Sequence, residues 1–163
     1  MTYSIVIDRP IYPEWMDYSA SLFLKGMSFA KAKVKMEKFL LNSNVKSPYT
    51  RRKSKSIVLN VWFKPQNEIE LQQIKSKLLT ANQQEKNELY FQLLRKQYPF
   101  FEDVCKTISR LEKVSEVVKT SDISRRIYEI WGETPSIKSS LTKSIRTYRL
   151  FKAVMNVENN NPN

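Results

Sequence analysis

Histidine is missing from this chain altogether, cysteine occurs once and glycine twice. Each shortage excludes a class of chemistry. Without histidine, the commonest general base and the commonest zinc ligand are gone. The single Cys105 leaves no internal disulfide and no cysteine-rich metal site, and its place on an apolar helical face gives it a packing role. Two glycines, Gly26 and Gly132, are too few for tight hairpins or phosphate-cradling loops, so helices joined by short polar turns are expected. No apolar run approaches the roughly 20 residues of a membrane span. The opening MTYSIVIDRP lacks the basic leader and long apolar core of a secretory signal, so the expected location is cytoplasmic, with no membrane partner. Walker loops, dinucleotide fingerprints and nucleophile elbows are all absent from the sequence. Glu37, Glu68, Glu70, Glu85 and Glu88 fall at helical positions with no recognisable metal-ligand partner. No catalytic residue, metal or cofactor is therefore predicted, and the chain reads as non-enzymatic.

What the sequence does hold is apolar bulk and positive charge. Of 163 residues 41% are apolar, with eight Phe, eight Tyr and three Trp, enough for a sizeable core and too apolar for a disordered chain. The net charge is +12, and it is unevenly spread. The stretch from Lys25 to Lys64 holds eleven Lys or Arg and a single acid, Glu37. A cationic field this concentrated attracts polyanions.

Apolar spacing predicts an all-α, compact multi-helix bundle. Pro13 and Glu14 open a helix carrying Trp15, Tyr18, Leu22 and Phe23, which Gly26 stops. Ser28 caps a second, with Phe29, Ala32, Met36, Phe39 and Leu40 on its apolar side. Asn42 to Pro48 is a loop. Tyr49 to Phe63 reads as one helix, cationic at its start and buried at its end, although the β-branched Ile57, Val58 and Val61 also suit a strand. Further helices follow on Ile69, Leu71, Ile74, Leu78 and Leu79, on Leu89 to Leu94, and on Phe100 to Leu111. In the last third, Ser121 or Asp122 is expected to cap a helix with Ile123, Ile127, Ile130 and Trp131 on one face. Ser139 or Ser140 is expected to begin the final helix. The organisation predicted is an N-terminal arm over 1–13, a basic helical half over 14–98, a second helical half over 99–155 and a disordered tail over 156–163. Ser4 to Ile7 fits a short strand or an ordered arm.

Two basic constellations are candidate nucleic-acid contacts. Lys31, Lys35 and Lys38 share a helix face, and Arg51, Arg52, Lys53 and Lys55 open the next helix. Together they can follow phosphates if the two helices lie antiparallel. The second constellation is Lys143, Arg146 and Arg149 on the last helix. With the helix before it, this forms a helix-turn-helix-like pair, though the seven residues between them exceed the usual turn of three or four. Double-stranded DNA is the expected partner, held mainly by its backbone. An adaptor docking an acidic protein partner, or an RNA-binding helical protein, is the alternative. A solvated surface with no ligand accounts for the same charges, and oligomeric state is not legible.

The order of these features resembles the BrxA family of bacterial BREX phage-defence systems. The likeness is carried by YTRRKSKSIVLNVWF at 49–63, LYFQLLRKQYPFFEDVCKTI at 89–108, TSDI at 120–123 and SSLTKSIRTYRLFKAVM at 139–155. It implies a compact helical fold similar to the NusB antitermination protein. It also implies DNA binding within a defence complex, with no catalysis by this subunit. No single residue role is carried over from it.

Overall fold

A computed structural model describes residues 7–64 and 67–155. Eight helices and no strand occur among them: α1 Pro13–Leu24, α2 Phe29–Asn42, α3 Pro48–Phe63, α4 Glu68–Thr80, α5 Gln83–Gln97, α6 Pro99–Val114, α7 Thr120–Trp131 and α8 Pro135–Met155. The expected tail over 156–163, and all of the expected arm before Ile7, lie outside the described residues. Local chemistry sets the boundaries. Proline stands at the start of α1, α3 and α6, where its fixed φ suits the first turn and its missing N–H costs nothing. Ser28, Ser47, Asn67 and Asn82 each accept a backbone N–H from the helix they precede. At the end of α1, Gly26 takes a left-handed φ of 70°, and the Met27 N–H reaches back to the Leu22 carbonyl. Asn44 does the same after α2 with φ 66°, while Val45 N–H donates to Leu40 O. Asparagine tolerates this region better than most side chains.

Several boundaries differ from the sequence reading. The β-branched run in α3 is helical, because Ile57, Val58 and Val61 face the core beside Leu59 and Trp62. Neither Ser121 nor Asp122 caps α7; Lys119 precedes it without a side-chain cap, and Asp122 pairs with Arg125 one turn on. The last helix begins four residues before Ser139, at Pro135, because Thr134 supplies the cap to Ile137 N–H. The α7–α8 connection thereby shrinks to residues 132–134. Ile69, Leu79 and Ile130 belong to predicted apolar faces yet are largely exposed.

Helices α1, α2 and α3 associate mutually; α6 and α8 pack on each other and on both α5 and α7, and α5 also touches α1 and α3. One continuous core runs through both groups. At its centre the QYPFF hinge places Tyr98, Phe100 and Phe101 wholly inside, and the Tyr98 hydroxyl donates to Ile57 O at 2.6 Å. Burial pushes the Tyr98 phenol up, away from ionisation. Trp62 donates to the Ser19 hydroxyl and Tyr90 to Asp17, so the aromatic bulk that fills the α1–α3–α5 junction is also satisfied as hydrogen-bonding groups. Cys105 is buried, and that burial raises its thiol pKa and keeps it protonated, in line with a packing role.

Before α1, residues Ile7 to Tyr12 form a non-helical strap that bends at Arg9. Ile7 and Ile11 are fully buried. The Ile11 N–H donates to Thr147 Oγ1 on α8 at 3.0 Å, and Asp8 stands 3.6 Å from Lys53 Nζ on α3. The strap therefore runs between the two helices that carry the strongest basic clusters.

Candidate nucleic-acid interface

Arg51 is the most enclosed of the predicted cations, at 9% exposed. Its Nε donates to Glu37 at 2.6 Å, and its Nη1 donates to the carbonyls of Val45 and Lys46 at 2.8 Å each. Lys55 Nζ meets the other Glu37 oxygen at 3.0 Å. The hydrogen bond from Arg51, followed by that from Lys55, holds the Glu37 carboxyl below its usual range. Arg51 and Lys55 thus clamp α2 and its loop onto α3, and their charge is spent inside the protein. Sequence reasoning placed them on the phosphate surface because nothing local distinguishes them from Arg52 and Lys53.

Helical geometry also separates the α2 lysines from that surface. Glu37 marks the side of α2 that looks at α3. At about 100° per residue, Lys31 and Lys38 leave the helix roughly 100–120° around from Glu37, and Lys35 about 160° around. All three are exposed. They form a separate cationic face, turned away from α3.

Arg52 and Lys53 remain. Both cations lie over the ring of Tyr49, at 5.2 and 5.7 Å, and Arg9 from the strap lies over the same ring at 5.2 Å. Tyr49 itself is 50% exposed. Three like charges around one ring attract its face but repel one another. An anion set among them relieves that repulsion.

On the other side of the strap, Arg146 donates to the Tyr12 hydroxyl at 3.1 Å, with its guanidinium 5.9 Å from that ring. Lys143, half-buried, leaves α8 on the strap side, beside Thr147. Arg149 is exposed and, with Arg146, Lys138 and Thr142, lines an open cleft of about 500 Å³ between α8 and α7. The strap thus links the α3 cluster, Arg9, Arg52 and Lys53 over Tyr49, to Arg146 of α8 through Tyr12, with Lys143 one turn from Thr147, in a single band. Arg149 and Lys138 leave α8 roughly 160–180° around from Thr147 and belong to the α7–α8 cleft instead. Sequence reasoning missed Arg9, Tyr12 and Tyr49 as parts of this surface. A lone arginine just before Pro10 carries no local signal of where the strap will lie.

Among the described residues no three cysteine or acidic side chains converge as a metal site, and no helix is long and apolar enough to cross a membrane. No family model, curated protein or solved structure matches the chain.

Proposed function

We propose that this chain is a non-enzymatic nucleic-acid-binding protein that holds duplex DNA mainly through backbone phosphates. The observation that carries the reading is the gathering of Arg9, Arg52 and Lys53 over Tyr49, with Arg146 of α8 tied to the same strap through Tyr12, so that cations from three separate segments stand along it. Arginine is abundant among them, which suits bidentate phosphate contacts. Asp8 pairs with Lys53 and Glu133 with Lys138, so these two cations are partly neutralised, whereas Arg52 and Arg9 meet the Tyr49 ring. The first turns of α8 add exposed Ser136, Ser139 and Thr142 beside Lys138, and the short 132–134 turn suits a helix-turn-helix-like use of α7 and α8. Ser140 is buried and takes no part. The resemblance to the BrxA family extends the proposal to a NusB-like fold and a place in a phage-defence complex.

The test is fluorescence anisotropy with a labelled duplex at several salt concentrations. Binding is expected to weaken steeply with salt and to depend little on sequence. Replacing Arg52, Lys53 and Arg146 together by Ala should weaken binding to every duplex alike and flatten the salt dependence. Unchanged binding by a folded triple variant, or no binding even at low salt, removes the proposal. Val34 and Leu41 favour a second reading, an adaptor for an acidic protein. They are exposed at 71% and 53%, two turns apart on α2, beside Lys31, Lys35 and Lys38. Loss of a partner protein on Val34→Ser/Leu41→Ser, with DNA binding absent, would select it. Structured RNA in the same titrations distinguishes the remaining polyanion.

A further inference from the structure

We propose that a cleft between the strap and the start of α3 receives one nucleotide base, supplied either as an unpaired residue of a strand or as a free mononucleotide. The inference rests on the nucleic-acid reading above and names the unit that the band's centre takes. Its starting point is two buried polar atoms that have no partner among the described residues, Ser54 Oγ and Arg9 Nε. Ser54 is wholly buried, and both residues line one cleft of about 570 Å³. Buried polar groups are nearly always satisfied, and a serine within a helix commonly returns its hydroxyl to the carbonyl four residues back. Ser54 does not. Its hydroxyl and the Arg9 Nε are left for something that enters.

The walls say what enters. Trp15 and Tyr12 form one side, their ring centroids 4.8 Å apart and their planes at 50°, with Val45 nearby on the loop after α2. Such a surface favours a flat, apolar face. The volume falls within the roughly 300–1,000 Å³ of small-molecule sites. Thr50 and Ser54 offer hydroxyls that donate or accept, Arg9 donates, and the Glu14 carboxylate at the edge accepts. A bare anion is poorly suited to a cleft that includes Glu14. A neutral heterocycle carrying both donors and acceptors matches the set, and a nucleobase is that kind of group. Its phosphates would stay outside, where Arg9, Arg52 and Lys53 gather over Tyr49. A base still paired within a duplex cannot reach such a cleft, so the occupant must be unpaired.

The experiment compares three labelled probes by anisotropy at one salt concentration: a fully paired duplex, the same duplex with one bulged nucleotide, and the single strand. Free nucleoside monophosphates are titrated separately against tryptophan fluorescence. The bulged duplex is expected to bind about fivefold or more tighter than the paired one, the scale of one stacked base. Ser54→Leu, which fills the cleft, should abolish that ratio, and Ser54→Ala, which removes only the hydroxyl, should reduce it. Mononucleotide binding lost in Ser54→Leu would identify the free nucleotide as the source. Its absence alongside a bulge preference would identify the strand. Equal binding of paired and bulged duplexes with no mononucleotide binding overturns the inference and leaves the duplex reading standing. A bulge preference undiminished in both variants, each shown to melt cooperatively, also overturns it. Failure of every probe at low salt defeats the underlying reading instead.

Discussion

Arg51 donates three hydrogen bonds from an almost enclosed position, while its neighbour Arg52 lies on the surface over Tyr49. The two carry the same charge and should respond to substitution in opposite ways. Arg51→Ala strands Glu37 and two loop carbonyls, and is expected to cost about 2–3 kcal/mol in urea denaturation. Arg52→Ala should change stability by no more than about 0.5 kcal/mol yet weaken binding to a duplex. Equal stability losses in the two would contradict the clamp. The same clamp sets a pH dependence. Glu37 has a lowered pKa in the folded state, so its contribution is complete above the ordinary carboxylate value and is lost as pH falls through the lowered one. Glu37→Gln should be less stable than the parent at neutral pH and should converge with it in acid. Partial exposure of Glu37 keeps the effect modest.

Between the two basic helices, the strap's backbone is tied to α8 by a buried hydrogen bond from Ile11 N–H to Thr147 Oγ1, beside the more exposed contacts of Tyr12 with Arg146 and of Asp8 with Lys53. Thr147→Val keeps the shape and removes the acceptor, leaving a buried N–H unsatisfied at a cost of about 1–3 kcal/mol. If the strap is what unites the α3 and α8 clusters, that variant should also lose affinity for a duplex while remaining folded. A variant with reduced stability and undiminished affinity would place the strap outside the interface. At the other extreme stands α4. Only Ile74 and Leu78 are buried along it, with Lys96–Glu70 as an exposed tie and Lys75 over Phe23. Its amides should exchange with deuterium well before those of α5 and α6, which carry Tyr90, Phe91, Phe100 and Phe101 inside. Protection in α4 equal to that in α6 would refute this. The periodicity of α4 shows why its packing was overestimated from sequence: Ile69 and Leu79 repeat at helical spacing, but no neighbouring helix arrives to cover them.

Taken as one body, the molecule spends some of its cations and displays others. Glu37 consumes Arg51 and Lys55, α2 carries Lys31, Lys35 and Lys38 on a face of its own, and Arg9, Arg52, Lys53 and Arg146 stand along the strap. If about five side chains of the band meet phosphates, the logarithm of affinity should fall with the logarithm of salt at a slope near −4 to −5. The Arg52, Lys53 and Arg146 triple variant should flatten that slope by about 3. A slope near zero for the parent would mean that the band does not meet phosphate, whatever its affinity.

Sequence alone determined the helical class, most of the helix positions and the concentration of charge before Lys64. These follow from short-range rules, since capping, proline placement and 3.6-residue periodicity act within a turn or two. Only the tertiary structure decided which cations are free. Arg51 meets Glu37 across fourteen residues, and Ile11 meets Thr147 across 136. Partners that distant are chosen by how the core closes, and no local pattern in the chain records the choice.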